Sequence, residues 1–220
     1  MKKMLLFLCA VLALTVGVST ATADGGNSDA AKACQKGGWQ NLMRQDGTGF
    51  KNEGDCVAYA AQGGKLLSCA GSEDFSEFPE FSTPTTFSGG TIDDPYGPAG
   101  GVVVQGSFLD GGFPLGAHVL FSGLDSDSFQ LSFTNPTGHL QVDASDGDKL
   151  EPTTITLTAY DASNAVVGTA QFFDPDNTVQ TLSVTSSTNN ITHFTVETND
   201  AINFEFPNGV EFTNIVWRCA

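Results

Sequence analysis

The sequence predicts a mainly β chain: an antiparallel two-sheet β-sandwich of jelly-roll type, preceded by a small disulfide-stapled helical module. Three observations carry that expectation. From about Phe87 onward, strand-like runs recur roughly every 10–15 residues between Gly, Pro, Asp and Asn turns, with no long helix. In Thr153–Phe173, Ile155, Leu157 and Ala159 alternate with Thr154, Thr156 and Thr158, the period-two pattern of a half-buried strand. Cys34, Cys56, Cys69 and Cys219 form an even set in a chain that opens like an exported protein.

That opening is a basic head, Met1–Lys3, an apolar run, Met4–Val18, and then Ala21 and Ala23 at the −3 and −1 positions of an A-x-A site. The spacing predicts cleavage before Asp24. The apolar run is shorter than the roughly 20 residues that span a bilayer, so it reads as a leader that takes Cys9 with it. No later stretch reads as a transmembrane helix. The chain is expected to be extracellular, with no membrane anchor after cleavage.

Nine Lys and Arg stand against 25 Asp and Glu, a formal charge of −16, and the leader removes Lys2 and Lys3 as well. Such a surface repels nucleic acid and anionic membrane, which excludes both as partners. Solubility is the ordinary reason for acidity in an exported chain. Calcium binding is the functional one.

Four cysteines allow three pairings. Cys34–Cys56 with Cys69–Cys219 is preferred. The first bond staples a small N-terminal unit, and the second ties the start of the β region to its last strand. Zinc is disfavoured, because there is no C-x-x-C spacing and no nearby histidine.

In order along the chain, Asp24–Ala30 reads as a mobile polar leader. Asn52 is an N-cap with Asp55 three residues on, and Val57, Ala60 and Ala61 lie on one side before Gly63-Gly64. A helix over Glu53–Gln62 follows. Cys34–Trp39 (C-x-x-G-G-W), Phe50–Val57 (F-K-N-x-G-D-C-V) and Gly63–Lys65 (G-G-K) resemble a small cysteine module of secreted bacterial proteins. The resemblance covers about residues 32–65 and implies export rather than chemistry. Residues 1–23 are therefore expected to be a signal peptide, 24–70 a cysteine module, 71–86 a linker or flap with Phe75, Phe78 and Phe81 laid on the sheet, and 87–220 the sandwich.

The strands expected within it are Val102–Gln105, His118–Ser122, Phe129–Phe133, Leu140–Val142, Ile155–Tyr160, Val166–Phe172, Val179–Val184, Ile191–Thr198, Ala201–Phe206 and Phe212–Trp217. Thr156–Asp161 followed by Val166-Val167-Gly168 resembles the L-T-A-Y-D-x-x-G-x-x-V-G hairpin of galactose-binding-like jelly rolls. Asn164 stands at the turn glycine. Glu211–Ile215 resembles the closing strand of that family, with Thr213 where an Asp is usual. The resemblance covers about residues 85–218. It implies a binding fold, often for carbohydrate and often with a structural calcium.

No catalytic constellation is present. There is no G-x-S-x-G and no H-E-x-x-H, and His118, His139 and His193 lie far apart. Paired glycosidase carboxylates are spatial and leave no sequence spacing. The chain is expected not to be an enzyme. Asp143, Asp146 and Asp148, with Gly147 between them, read as the best calcium turn. Tyr96 and Phe113, set among Gly and Pro, read as the loop aromatics for a ligand. The expected partner is an extracellular glycan or other cell-envelope material; the alternative is a structural, matrix-associated protein that contacts other proteins. The threonine row Thr154, Thr156, Thr158 offers no acid, base or ligand, so function is expected in the loops.

Overall fold

A computed structural model describes residues 25–93, 102–105, 112–114, 116–121, 128–146, 153–174, 178–199 and 210–220. The leader, Tyr96, Asp148 and the expected strand Ala201–Phe206 lie outside the described residues.

The chain begins with helix α1 (Gly25–Ala33), a turn of 3-10 helix (Gly38–Asn41), strand β1 (Leu42–Arg44), helix α2 (Glu53–Ala61) and strand β2 (Leu66–Ser68). Helix α1 replaces the mobile leader expected there. Its Ala30 and Ala31 pack on a small core of Cys34, Phe50, Cys56 and Ala60, so tertiary contact holds a helix that had no N-cap signal. Helix α2 starts where Asn52 Oδ1 accepts the Asp55 N–H at 2.9 Å. The paired glycines after Cys34 have separate causes. Gly37 sits at φ +87°, and a Cβ on Gly38 would lie 1.9 Å from the Ala33 carbonyl oxygen. Arg44 binds the unit together: its Nη2 donates to both Asp55 oxygens at 2.8 Å, and its guanidinium lies 4.7 Å from the Phe50 ring centroid. Cys34 is bonded to Cys56, with Cα atoms 5.7 Å apart.

The sandwich follows, from β3 (Gly71–Glu73), β4 (Thr86–Phe87), β5 (Gly90–Asp93), β6 (Val102–Gln105) and β7 (His118–Phe121) through β8 (Ser128–Thr137) and β9 (His139–Asp146). It continues with β10 (Thr153–Tyr160), β11 (Val166–Asp174), β12 (Gln180–Thr185), β13 (Ile191–Asn199) and β14 (Val210–Arg218). One antiparallel sheet has the order β11-β10-β13-β8-β5-β4. The other runs β12-β9-β14-β7-β6, with β3 also on β14. This is the two-sheet jelly-roll sandwich the sequence predicts. Strands β7 and β3 share one edge of β14: β7 pairs at Glu211 and Phe212, and β3 at Ile215–Trp217.

The core between the sheets comes from alternate residues of facing strands, among them Leu131, Leu140, Val142, Ile155, Leu157, Phe194, Val196 and Phe212. Trp217 meets Phe87 edge-on at 5.7 Å and Phe133 at 5.6 Å, which closes one end of that core. Residues 71–86 are more than a linker. Gly71–Glu73 is a sheet strand, and fully buried Phe75 packs edge-on against Phe212 at 6.1 Å. The Glu73 carboxylate accepts the Phe75 and Ser88 N–H groups at 2.8 and 3.0 Å, locking the segment down. Phe81, the third aromatic of the expected flap, is 59% exposed.

Cys69 is bonded to Cys219 across 150 residues of sequence. Nearby, Asn189 donates to Gly47 O at 3.1 Å and accepts the Ala220 N–H at 2.6 Å, seating the N-terminal unit against the sandwich.

Candidate functional site

The outward face of the β11-β10-β13-β8-β5-β4 sheet, hereafter the six-stranded sheet, is set by strand register. Ile155, Leu157, Ala159, Phe194, Val196 and Leu131 face the core and are fully buried. Their neighbours therefore face outward. Tyr160 lies opposite His193, Thr158 opposite Thr195 and Thr156 opposite Glu197. One strand further, His193 faces Ser132 and Thr195 faces Gln130. Thr91 and Asp93 continue these two rows on β5. The result is a grid of hydroxyl, amide and carboxylate groups with one aromatic pair at its end.

That pair is ordered by its backbone. The register shifts between Ala159 and Tyr160 against β11, and between Ile191 and His193 against β8. Bulges re-aim side chains, and here two of them flank the same pair. The Tyr160 and His193 rings are stacked, 5.0 Å apart and 9° from parallel. His193 Nδ1 lies 3.1 Å from Thr192 Oγ1, which fixes the ring. Asp161 begins the adjoining turn. The Ser163 hydroxyl, then the Ala165 and Ser163 N–H groups, hold its carboxyl below the ordinary range, and Asn164 makes the turn at φ +62°.

Elsewhere on the grid, the Ser132 hydroxyl donates to Asp93 at 3.0 Å. Thr195 Oγ1, near the middle, is buried with no hydrogen-bond partner among the described residues. Thr158 and Thr195 are both buried, so the accessible groups of this face are Tyr160, His193, Thr156, Gln130 and Glu197. The face combines an apolar stacking surface with several donors and acceptors, the chemistry suited to a polyhydroxylated ligand.

The residues expected to carry function lie elsewhere. Phe113 is only 5% exposed and packs with Val119 and Phe121 in a minor core on the outside of the other sheet. It is a packing anchor, because strand alternation in β7 puts two large apolar residues on that outer face and they need a cover. Asp143 and Asp146 are in strand β9, not in a turn. They are three residues apart and project to opposite faces of it. Asp143 accepts from Thr181 Oγ1 at 2.6 Å and Asn214 Nδ2 at 2.9 Å, while Asp146 is fully buried. Asp143 and Asp146 therefore do not converge on one ion. No group of three or more metal-ligating side chains comes together among the described residues. Thr213, at the closing-strand position where the resembled family has Asp, donates its hydroxyl to the Asp74 carbonyl at 3.2 Å. These donors do not fit a shared calcium.

A second acidic feature was not visible in the sequence. Glu211 lies opposite Ser145 and Phe121 beside the minor core and has no exposed surface. Neither carboxyl oxygen has a hydrogen-bond partner among the described residues. Burial, and then the neighbouring Asp146 charge, push its carboxyl up to about 8, so it holds a proton at neutral pH.

Sequence reasoning passed over Tyr160, Gln130 and Glu197, and read His193 as an ordinary strand residue rather than a ligand group. The signal was present as alternation, His193-Thr195-Glu197 along one strand and Thr156-Thr158-Tyr160 along another. What was missing was the register that sets these rows side by side.

No protein-family model and no curated protein matches this chain. Solved structures are similar at low identity. The K2 cleaved adhesin domain of Lys-gingipain is 12% identical with a TM-score of 0.42, covering 67% of this chain and 98% of that one. CsCBM6-3 from Clostridium stercorarium, solved with cellobiose, is 13% identical with a TM-score of 0.35, covering 60% and 89%. A family 29 carbohydrate-binding module from Piromyces equi is 10% identical with a TM-score of 0.38, covering 69% and 91%. Likenesses this distant fix neither ligand nor activity.

Proposed function

We propose that this chain is an exported, non-catalytic module that binds carbohydrate on the outward face of its six-stranded sheet. The observation that carries the reading is the stacked Tyr160–His193 pair at the end of an ordered polar grid. A sugar ring offers an apolar C–H face to an aromatic ring and a rim of hydroxyls to Thr156, Gln130 and Glu197. Two disulfides and the leader-like N-terminus support export. A non-catalytic role accords with the grid, whose acids are spread along strands rather than paired across a cleft.

A glycan array probed with the disulfide-intact protein tests this. Binding to at least one class of extracellular or cell-envelope glycan is expected, with tenfold or greater loss in Tyr160→Ala and an unchanged far-UV CD spectrum. A blank array, or binding indifferent to Tyr160→Ala, overturns the reading. Turnover of a bound polysaccharide overturns its non-catalytic part.

A further inference from the structure

Strand β11 ends the six-stranded sheet, and its outer edge pairs with no strand among the described residues. Natural edge strands are usually blunted by lysine, proline or shortness, because bare N–H and C=O groups invite another strand. From Val166 to Phe173 there is no charged residue and no proline, in a chain of formal charge −16. Val166, 59% exposed, and Phe173, 62% exposed, stand at the two ends of this run. Both face outward, because Val166 lies opposite Tyr160 and Phe173 opposite Thr154. Seven residues apart in a regular strand, they would face opposite ways; the bulge beside Tyr160 brings them to one side.

We propose that β11 pairs antiparallel with β11 of a second copy of this chain, about a twofold axis at Ala170. Antiparallel pairing needs opposed residues on the same face. An axis at Ala170 sets Gln171 opposite Thr169, Phe172 opposite Gly168, and Phe173 opposite the Val166–Val167 bulge. Each exposed Phe173 is then covered by the partner's bulge, and the contact is self-complementary as a twofold interface requires. The chain's charge of −16 opposes self-association in general, but Val166–Phe173 carries none of it. What selects a second copy over a foreign peptide is the placement of exposed apolar residues at both ends of this run, about Ala170. On the carbohydrate reading above, the two six-stranded faces become one surface, with the Tyr160 platforms roughly 25 Å apart by strand spacing and rise. A polymer with several binding epitopes engages both.

Analytical ultracentrifugation of the disulfide-intact chain, from low to several hundred micromolar, tests the pairing. A shift from the chain mass to twice that mass is expected. The double variant Thr169→Lys, Gln171→Lys places like charges opposite one another at exposed positions. It is expected to stay monomeric with an unchanged CD spectrum. Register is read by mixing Thr169→Cys protein with Gln171→Cys protein: air oxidation cross-links the mixture and neither protein alone. A monomer at every concentration, a dimer that survives the lysine pair, or equal cross-linking in the unmixed samples overturns the proposal. A blank glycan array beside an intact dimer removes the carbohydrate reading and leaves the dimer standing. Glycan binding by a chain that stays monomeric does the reverse.

Discussion

Tyr160 and His193 face each other across β10 and β13 with their rings 5.0 Å apart and 9° from parallel. Aromatic pairs of this kind contribute about 0.5–1.5 kcal/mol beyond area burial. Tyr160→Ala is therefore expected to lower unfolding free energy by about 1 kcal/mol, measured by urea denaturation, while weakening glycan binding far more. Tyr160→Phe keeps the ring and is expected to retain most of both. Equal loss in the two variants would show that the hydroxyl, not the stacked ring, is what matters.

Glu211 makes stability depend on pH. Its folded-state value of about 8 lies above the ordinary 4.5, so between those limits the folded protein holds a proton that the unfolded chain has released. Stability is highest below the lower limit and declines as pH rises through the window. Glu211→Gln, which is neutral at every pH, is expected to flatten that decline. At pH 8 it should gain on the order of a few kcal/mol, with little change at pH 5. Thermal melts of both proteins across the range check this; parallel curves would remove Glu211 as the cause.

Phe113 separates packing from binding. Buried against Val119 and Phe121, it is expected to cost about 3–5 kcal/mol when cut to alanine. The loss should appear in denaturant midpoint, with glycan affinity of the folded fraction unchanged. A variant of normal stability that fails to bind would return Phe113 to the ligand site.

The Cys69–Cys219 bond closes a loop of 150 residues. In the chain-entropy model such a closure is worth about 5 kcal/mol. Cys69→Ser with Cys219→Ser is expected to lose most of that in equilibrium unfolding under oxidising conditions. Non-reducing peptide mapping of the unaltered protein should recover Cys34 with Cys56 and Cys69 with Cys219. A Cys56–Cys69 peptide would contradict the pairing.

Gly90 is a packing requirement rather than a flexible joint. A Cβ there would lie 1.9 Å from the Ser132 carbonyl oxygen, where β5 meets β8. Gly90→Ala is expected to open that edge of the sheet, seen as faster amide exchange at Thr91–Asp93, with protection of β10 and β13 unchanged.

By itself the sequence determined the local structure. Period-two alternation marked the β10–β11 hairpin, because one face of a strand must be apolar wherever it is buried. Asn52 and Asp55 marked the start of α2, because capping is read within one turn. It also determined that four cysteines were available for pairing, but not which bonds form. The tertiary structure decided what depends on neighbours distant in sequence. Asp24–Ala30 reads as a mobile polar stretch, yet Gly25–Ala33 is helical because a small core receives it. Phe113 is buried because β7 turns two apolar residues outward. Asp143 and Asp146 part company because they sit in a strand, whose successive side chains alternate. Most of all, the threonine row that looked inert gained Tyr160, His193, Glu197 and Gln130 as neighbours. Each strand carries only one column of that grid, and its rows exist only once hydrogen bonding sets the register.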